Sequence, residues 1–271
     1  MKYFKIVPLA ICTGLIFFYG CSGASKVESS FNNNEIKIDG NQSDWTGKLQ
    51  TIKDDNVAYA FKNDGQNLYM CLVTSDATKA MRILTMGLTV WLNPGNSKDE
   101  IGVKFPMRPE QGEMRASGMR LPPDSSGIRG REQRIRNLIS KQELLQVINK
   151  DDLPLYTSEI AAASDFQAKM SYEKDQFVYE LKVPIESNKN AQTVLKAQPG
   201  DEVEVKVETG KFEIPQRAGG MRMGGGEGGM RPPRGEGGQR GTGGRQGGGE
   251  RGGFRRDFKP IEYNFDVKLS K

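Results

Sequence analysis

Residues 199–210 read PGDEVEVKVETG, and their pattern decides the fold. Val203, Val205 and Val207 alternate with Glu202, Glu204, Lys206 and Glu208. A strict period of two is that of a strand with one buried and one solvated face, and the flanking Pro-Gly and Gly are turn signals. The same alternation recurs in residues 261–269, where Ile261, Tyr263, Phe265, Val267 and Leu269 interleave with polar residues, and in Phe177, Tyr179, Leu181 and Val183. Upstream, EIKID (35–39), VAYAF (57–61), NLYMCLV (67–73), LTVWL (88–92) and IGVKF (101–105) supply further strands. FQAKMSYEKDQFVYELKV (166–183) reads as a hairpin turning at residues 173–175. About ten short strands without parallel βαβ spacing predict an all-β, two-sheet antiparallel, jelly-roll-like β-sandwich.

Two excursions interrupt this pattern. Residues 106–157 contain RIRNLISKQELLQVINK (134–150), where Ile135, Leu138, Ile139, Leu145 and Ile148 fall at helical spacing. That predicts one inserted amphipathic helix, packed on the sandwich through its apolar face. Residues 214–258 form the second excursion; within them, 216–256 hold 18 of the 33 glycines and nine arginines against three glutamates. With almost no aliphatic residue to bury, such a segment cannot offset the entropy of ordering and is expected to be a disordered Gly/Arg-rich loop. Because 261–269 lies beyond it, the loop is internal to a single domain over 34–271. The net charge of +5, or +3 without Lys2 and Lys5, is unevenly spread: residues 216–256 contribute +6 and residues 106–136 contribute +3, leaving the rest of the chain after residue 20 near −6.

The amino terminus carries Lys2 and Lys5, an apolar run from Ile6 to Tyr19, and Gly20-Cys21. A basic n-region, a short h-region and a small residue before cysteine make residues 1–20 a secretory signal, since a membrane span needs about 20 apolar residues. FFYGC resembles the lipobox of bacterial lipoproteins, which implies lipidation of Cys21, a flexible tether over 21–33 and attachment to the membrane through the lipid. By the same resemblance, the lack of aspartate just after Cys21 favours the outer membrane. Phe18 and Tyr19 are bulkier than the usual residues there, so a plain secreted protein or an uncleaved anchor is the alternative. The chain has no histidine, which removes the commonest general base and transition-metal ligand. Cys71 sits in an apolar strand and reads as a buried inert thiol.

IKIDGNQSDWTG (36–47) resembles the opening of family 9 carbohydrate-binding modules and the DOMON-related sandwiches. The matching residues are Ile38-Asp39-Gly40 and Asp44-Trp45. AYAFKNDGQNLYMCLVTSD, LTVWLNPGN, FVYELKVPIE and PGDEVEVKVETG agree with later strands of that family in order. The resemblance implies a noncatalytic sandwich that binds glycan. Sugar recognition needs flat aromatic platforms with polar groups converging on hydroxyls, which singles out Trp91, Trp45 and Tyr69. Trp45 reads equally as a plug at one end of the sandwich, and Trp91 can face solvent or the second sheet. The resemblance also implies calcium; Asp39, Asp44 and Asp76 are the candidate ligands, although two or three carboxylates fall short of the ion's usual 6–8 oxygens. The competing reading makes Asp39 a turn residue and Asp44 a cap.

Met107, Met114, Met119, Met221, Met223 and Met230 lie in the two basic excursions. They are soft ligands for Cu(I), and related sandwich domains bind haem through methionine; flexible segments also tolerate methionine without function. Arg-Gly repeats bind nucleic acid in cytosolic proteins, but an exported chain rarely meets RNA. Here the same chemistry points to acidic polysaccharide or another anionic envelope polymer, or to a solvated spacer. Three function classes follow: a glycan-binding or scaffold lipoprotein, an adhesion or assembly factor acting through its Arg/Gly loops, and a haem- or copper-carrying redox domain. An enzyme is disfavoured, because neither a nucleophile with its base nor an acid pair is recognisable.

Overall fold

A computed structural model describes residues 24–33, 35–95, 100–108, 127–160, 165–185, 194–210 and 260–271. In chain order the strands are β1 (Ser25–Glu28), β2 (Ser30–Phe31), β3 (Gln50–Thr51), β4 (Val57–Asn63), β5 (Asn67–Thr74), β6 (Leu88–Pro94), β7 (Ile101–Lys104), β8 (Leu144–Asn149), β9 (Pro154–Glu159), β10 (Gln167–Glu173), β11 (Gln176–Pro184), β12 (Glu202–Thr209) and β13 (Glu262–Lys268). The helices are α1 (Ala77–Met86) and α2 (Gly127–Ile139). One sheet has seven strands in the order β1-β13-β12-β6-β7-β8-β9. The other has six, in the order β10-β11-β5-β4-β2 with β3 also on β4. Pairing is antiparallel throughout except for β1 on β13 and β2 on β4. This is the two-sheet sandwich that the alternation predicts.

The core lies between the inner faces. Val203, Val205 and Val207 of β12 meet Leu88, Val90 and Leu92 of β6 on one sheet, and Phe61, Met70, Tyr179 and Leu181 fill the other. The 166–183 hairpin forms as read: β10 and β11 pair from Gln167–Lys182 to Glu173–Gln176. Lys174 and Asp175 both have positive φ (48° and 60°), as a two-residue hairpin loop requires.

Four expectations need correction. The helix predicted over 134–150 ends at Ile139, and Leu144–Asn149 is strand β8. Leu145 and Val147 face the core, while Ile148 is buried on the opposite face, so Leu145 and Ile148, on opposite faces of one strand, mimicked helical spacing. The excursion at 106–157 therefore also adds β8 and β9 to the seven-stranded sheet. EIKID is not a strand; residues 35–38 cross the outer face of the six-stranded sheet without pairing. The tether expected over 21–33 contains β1 and β2. Ser29 secures it, donating to Asn63 Oδ1 at 2.6 Å and accepting from Ser270 N–H at 2.9 Å. The signal segment, Cys21 and the Gly/Arg-rich loop of 214–258 lie outside the described residues.

Candidate functional site

The two sheets treat their outer faces differently, and that difference separates the candidate residues. On the six-stranded sheet, β4, β5 and β11 are buried on both sides. Their outer side chains Ala60, Tyr69, Cys71, Val73 and Val178 form a second small core with Ile36 and Trp45 from the segment passing over them. Trp45 is 0% exposed, and its indole Nε1–H donates to Glu180 Oε1 at 2.6 Å. Glu180 Oε2 accepts the N–H groups of Asp39 at 3.0 Å and Gly40 at 2.5 Å. Burial pushes the Glu180 carboxyl above its ordinary pKa, and the Trp45 and backbone donors pull it partly back. Gly40 has φ +82°, and a Cβ there would approach Ser171 Cβ to 3.1 Å, so the turn uses glycine for both its conformation and its closeness to β10.

Several candidate residues are absorbed by this seal. Trp45 is the plug, not a platform. Tyr69 is fully buried, and its hydroxyl donates to Asp64 Oδ2 at 2.6 Å, which leaves no surface for a ligand. Cys71 is a buried thiol whose pKa burial drives well upward. Asp39 Oδ1 accepts from Asn41 N–H at 2.9 Å as a turn residue.

The calcium candidates do not converge. Asp44 sits in the 3-10 turn Gln42–Trp45, where its carbonyl accepts from Lys62 Nζ at 2.5 Å. Asp76 is the N-cap of α1, accepting from Thr78 N–H at 2.8 Å and Lys79 N–H at 3.3 Å. Asp76 lies just beyond the β5 residue that pairs with Val57; Val57 and Lys62 are five residues, about 17 Å, apart along β4. Among the described residues, no three His, Cys, Asp or Glu side chains gather as a ligand set. Of the methionines singled out, Met107 is half-buried and the other five lie outside the described residues.

Among the described residues, no segment crosses the outer face of the seven-stranded sheet. Along β6, Leu88, Val90, Leu92 and Pro94 are buried while Thr89, Trp91 and Asn93 are half-exposed. Trp91 is in register with Lys206 of β12 on one side and Gly102 of β7 on the other. Its Nε1–H donates to Glu208 Oε1 at 2.8 Å, which fixes the indole on the face. A Cβ at Gly102 would lie 2.8 Å from Trp91 Cε3 and 2.7 Å from Ile148 Cγ1, so the missing side chain is what lets the ring and Ile148 close over β7. Around the ring, Lys206 Nζ pairs with Glu208 at 2.9 Å and Glu262 at 3.6 Å. The hydrogen bond from Lys206 to Glu208 raises the lysine's pKa, so it stays charged. Asn93 and Glu204 add an amide and a carboxylate. One oriented aromatic surface in a polar field can stack an apolar ring face and satisfy hydroxyls. Glu208, Lys206 and Gly102 were not singled out from the sequence: alternation puts the first two on the solvent face, but only the β6–β12 register sets them beside Trp91.

These features define an all-β sandwich with one outer face sealed and the other uncovered among the described residues. Among solved structures it is similar to a family 9 carbohydrate-binding module from Caldicellulosiruptor kristjanssonii in complex with glucose, at 9% identity and a TM-score of 0.33, covering 68% of this chain and 78% of that one. The module from the same organism in complex with cellotriose gives 10% identity and a TM-score of 0.33, over 68% and 76%. A protein from Bacteroides uniformis proposed to bind carbohydrate gives 7% identity and a TM-score of 0.37, over 69% and 84%. No protein-family model matches the chain, and no curated protein matches it.

Proposed function

We propose that this protein is a noncatalytic glycan-binding protein that contacts its ligand through the open face of the seven-stranded sheet, with Trp91 as the platform. The observation that carries this reading is the indole of Trp91, held by Glu208 and half-exposed among Lys206, Asn93 and Glu204. Such a ring presents an apolar surface at little conformational cost on binding, because its hydrogen bond already orients it. Attachment to the outer membrane through lipid on Cys21 belongs to the same proposal and rests on the amino-terminal sequence. The absence of histidine supports a role in binding over hydrolysis.

The test is binding of a chain lacking residues 1–21 to neutral and acidic polysaccharides at low and high salt. Salt-resistant binding lost in Trp91→Ala supports the proposal. A second reading, adhesion to anionic polymer through the arginine-rich segments, is favoured by the partition of charge along the chain. It predicts binding that fails at high salt and in a variant lacking residues 216–256. Palmitate labelling of the full chain, lost in Cys21→Ser, tests the anchor.

A further inference from the structure

We infer that the arginine-rich segment 211–259 docks in a cleft of its own sandwich, on the carboxylates of Glu143, Glu159 and Asp39. The cleft, about 910 Å³, opens along the side where β9 and β10 leave the two sheets unjoined, and it is separate from the Trp91 face. Among the described residues, its apolar floor includes Ile38 and Phe105, and its charged lining is Glu143, Glu159, Lys169 and Asp39, the last also 3.7 Å from Lys37 Nζ. Among the described residues, no hydrogen bond or ion pair engages the side chains of Glu143 or Glu159. The carboxyl end of α2 reaches the margin at Ile139 and Ser140, where the helix dipole adds partial negative charge. The cleft thus asks for a cation with an apolar stem, and arginine fits: its planar fork matches carboxylates and its methylenes cover apolar surface.

The chain supplies that cation close by. Residues 211–259 carry nine arginines and two lysines against four glutamates and one aspartate. The segment leaves β12 just after Thr209, which is in register with Leu88. Phe105 N–H donates to the carbonyl of Leu88 at 3.0 Å, so Thr209 lies two strand spacings, about 10 Å, from the Phe105 of the cleft. Thr209 N–H donates to the carbonyl of Ile261 at 3.0 Å, so both ends of the segment emerge together. The contour of 49 residues, at most about 160 Å, does not limit a contact at that distance. This inference does not depend on glycan binding.

The test uses the full chain and cleavage after Phe254 by chymotrypsin. At low ionic strength the Glu143→Gln/Glu159→Gln variant is expected to be cut about three- to ten-fold faster than the parent, the range for two exposed ion pairs. The difference should vanish at high salt. A chain with all nine arginines of the segment replaced by glutamate should also be cut fast. Adding Glu143→Arg/Glu159→Arg to it should restore slow cutting. Equal rates for the parent and the glutamine variant at low salt, or no rescue in the exchanged chain, overturn the inference.

Discussion

The two tryptophans make a controlled comparison. Each donates its indole N–H to a glutamate on a strand, Trp45 to Glu180 and Trp91 to Glu208. Yet Trp45 belongs to the segment 36–47 that lies over its sheet and is buried between the two, whereas Trp91 stays half-exposed on a sheet that no described segment crosses. The bonding is alike; the difference is whether chain passes over the strand. It follows that a hydrogen-bonded tryptophan is structural or functional according to the second layer above it, not according to its own partner.

Removing the rings should separate the two faces most sharply. Trp45→Ala is expected to cost about 3–5 kcal/mol, as for other buried aromatics, and to strand the Glu180 carboxylate. Trp91→Ala should cost about 1 kcal/mol while abolishing glycan binding. Urea unfolding of both variants checks this, and equal losses would break the comparison. Gly102→Ala comes next: its new Cβ meets Ile148 and Trp91 inside 3 Å, for an overpacking cost of about 1–3 kcal/mol. Because the ring is the atom group that must move, binding should weaken in the same variant.

How far the sequence carried these distinctions varies along the chain. The open sheet was legible, since VEVKVETG and LTVWLNP alternate cleanly and bury only one side. The sealed sheet left a trace too: NLYMCLVT is apolar without alternation, the mark of a strand covered on both faces. What covers it was hidden, because Ile36 and Ile38 alternate like a strand while the backbone of Asp39 and Gly40 bonds to Glu180 rather than to a neighbouring strand. α1 was missed although Asp76 caps its start and Gly87, at φ +77°, ends it. Asp76 had been weighed as a calcium ligand, and a carboxylate that accepts two backbone N–H groups serves a cap at the same position. At the open face, Trp91 was legible as a candidate, but its setting by Glu208 depends on register between strands over a hundred residues apart in sequence, and its setting by Gly102 on the β6–β7 register.

The two glutamates sharpen the comparison with a smaller effect. Glu180→Gln replaces an oxygen that faces N–H donors by another donor, an expected loss of about 1–2 kcal/mol, whereas Glu208→Gln at a half-exposed position should lose less than about 1 kcal/mol. The pH dependence should differ as well. Glu180 has a folded-state pKa above its unfolded value, so the folded form binds its proton more tightly. The stability this group adds is present below the unfolded value of about 4.3 and is lost as pH rises through the folded pKa. The stability advantage of the parent over Glu180→Gln should therefore shrink as pH rises through that window. A gap that widens with pH would mean that the Trp45 and backbone donors outweigh desolvation.

The finest discrimination comes from light. The chain has two tryptophans, so Trp45→Phe leaves only Trp91 emitting and Trp91→Phe leaves only Trp45. Emission from Trp45 should lie to the blue and resist acrylamide, because that side chain is 0% exposed. Emission from Trp91 should lie further to the red and be quenched several-fold faster. Added glycan should then protect the Trp45→Phe chain from quenching and leave the Trp91→Phe chain unchanged, since only the first reports from the open face. If Trp91 resists acrylamide as well as Trp45 does, a further layer covers the seven-stranded sheet. Trp91 would then be a second plug, and the proposed glycan platform would fall.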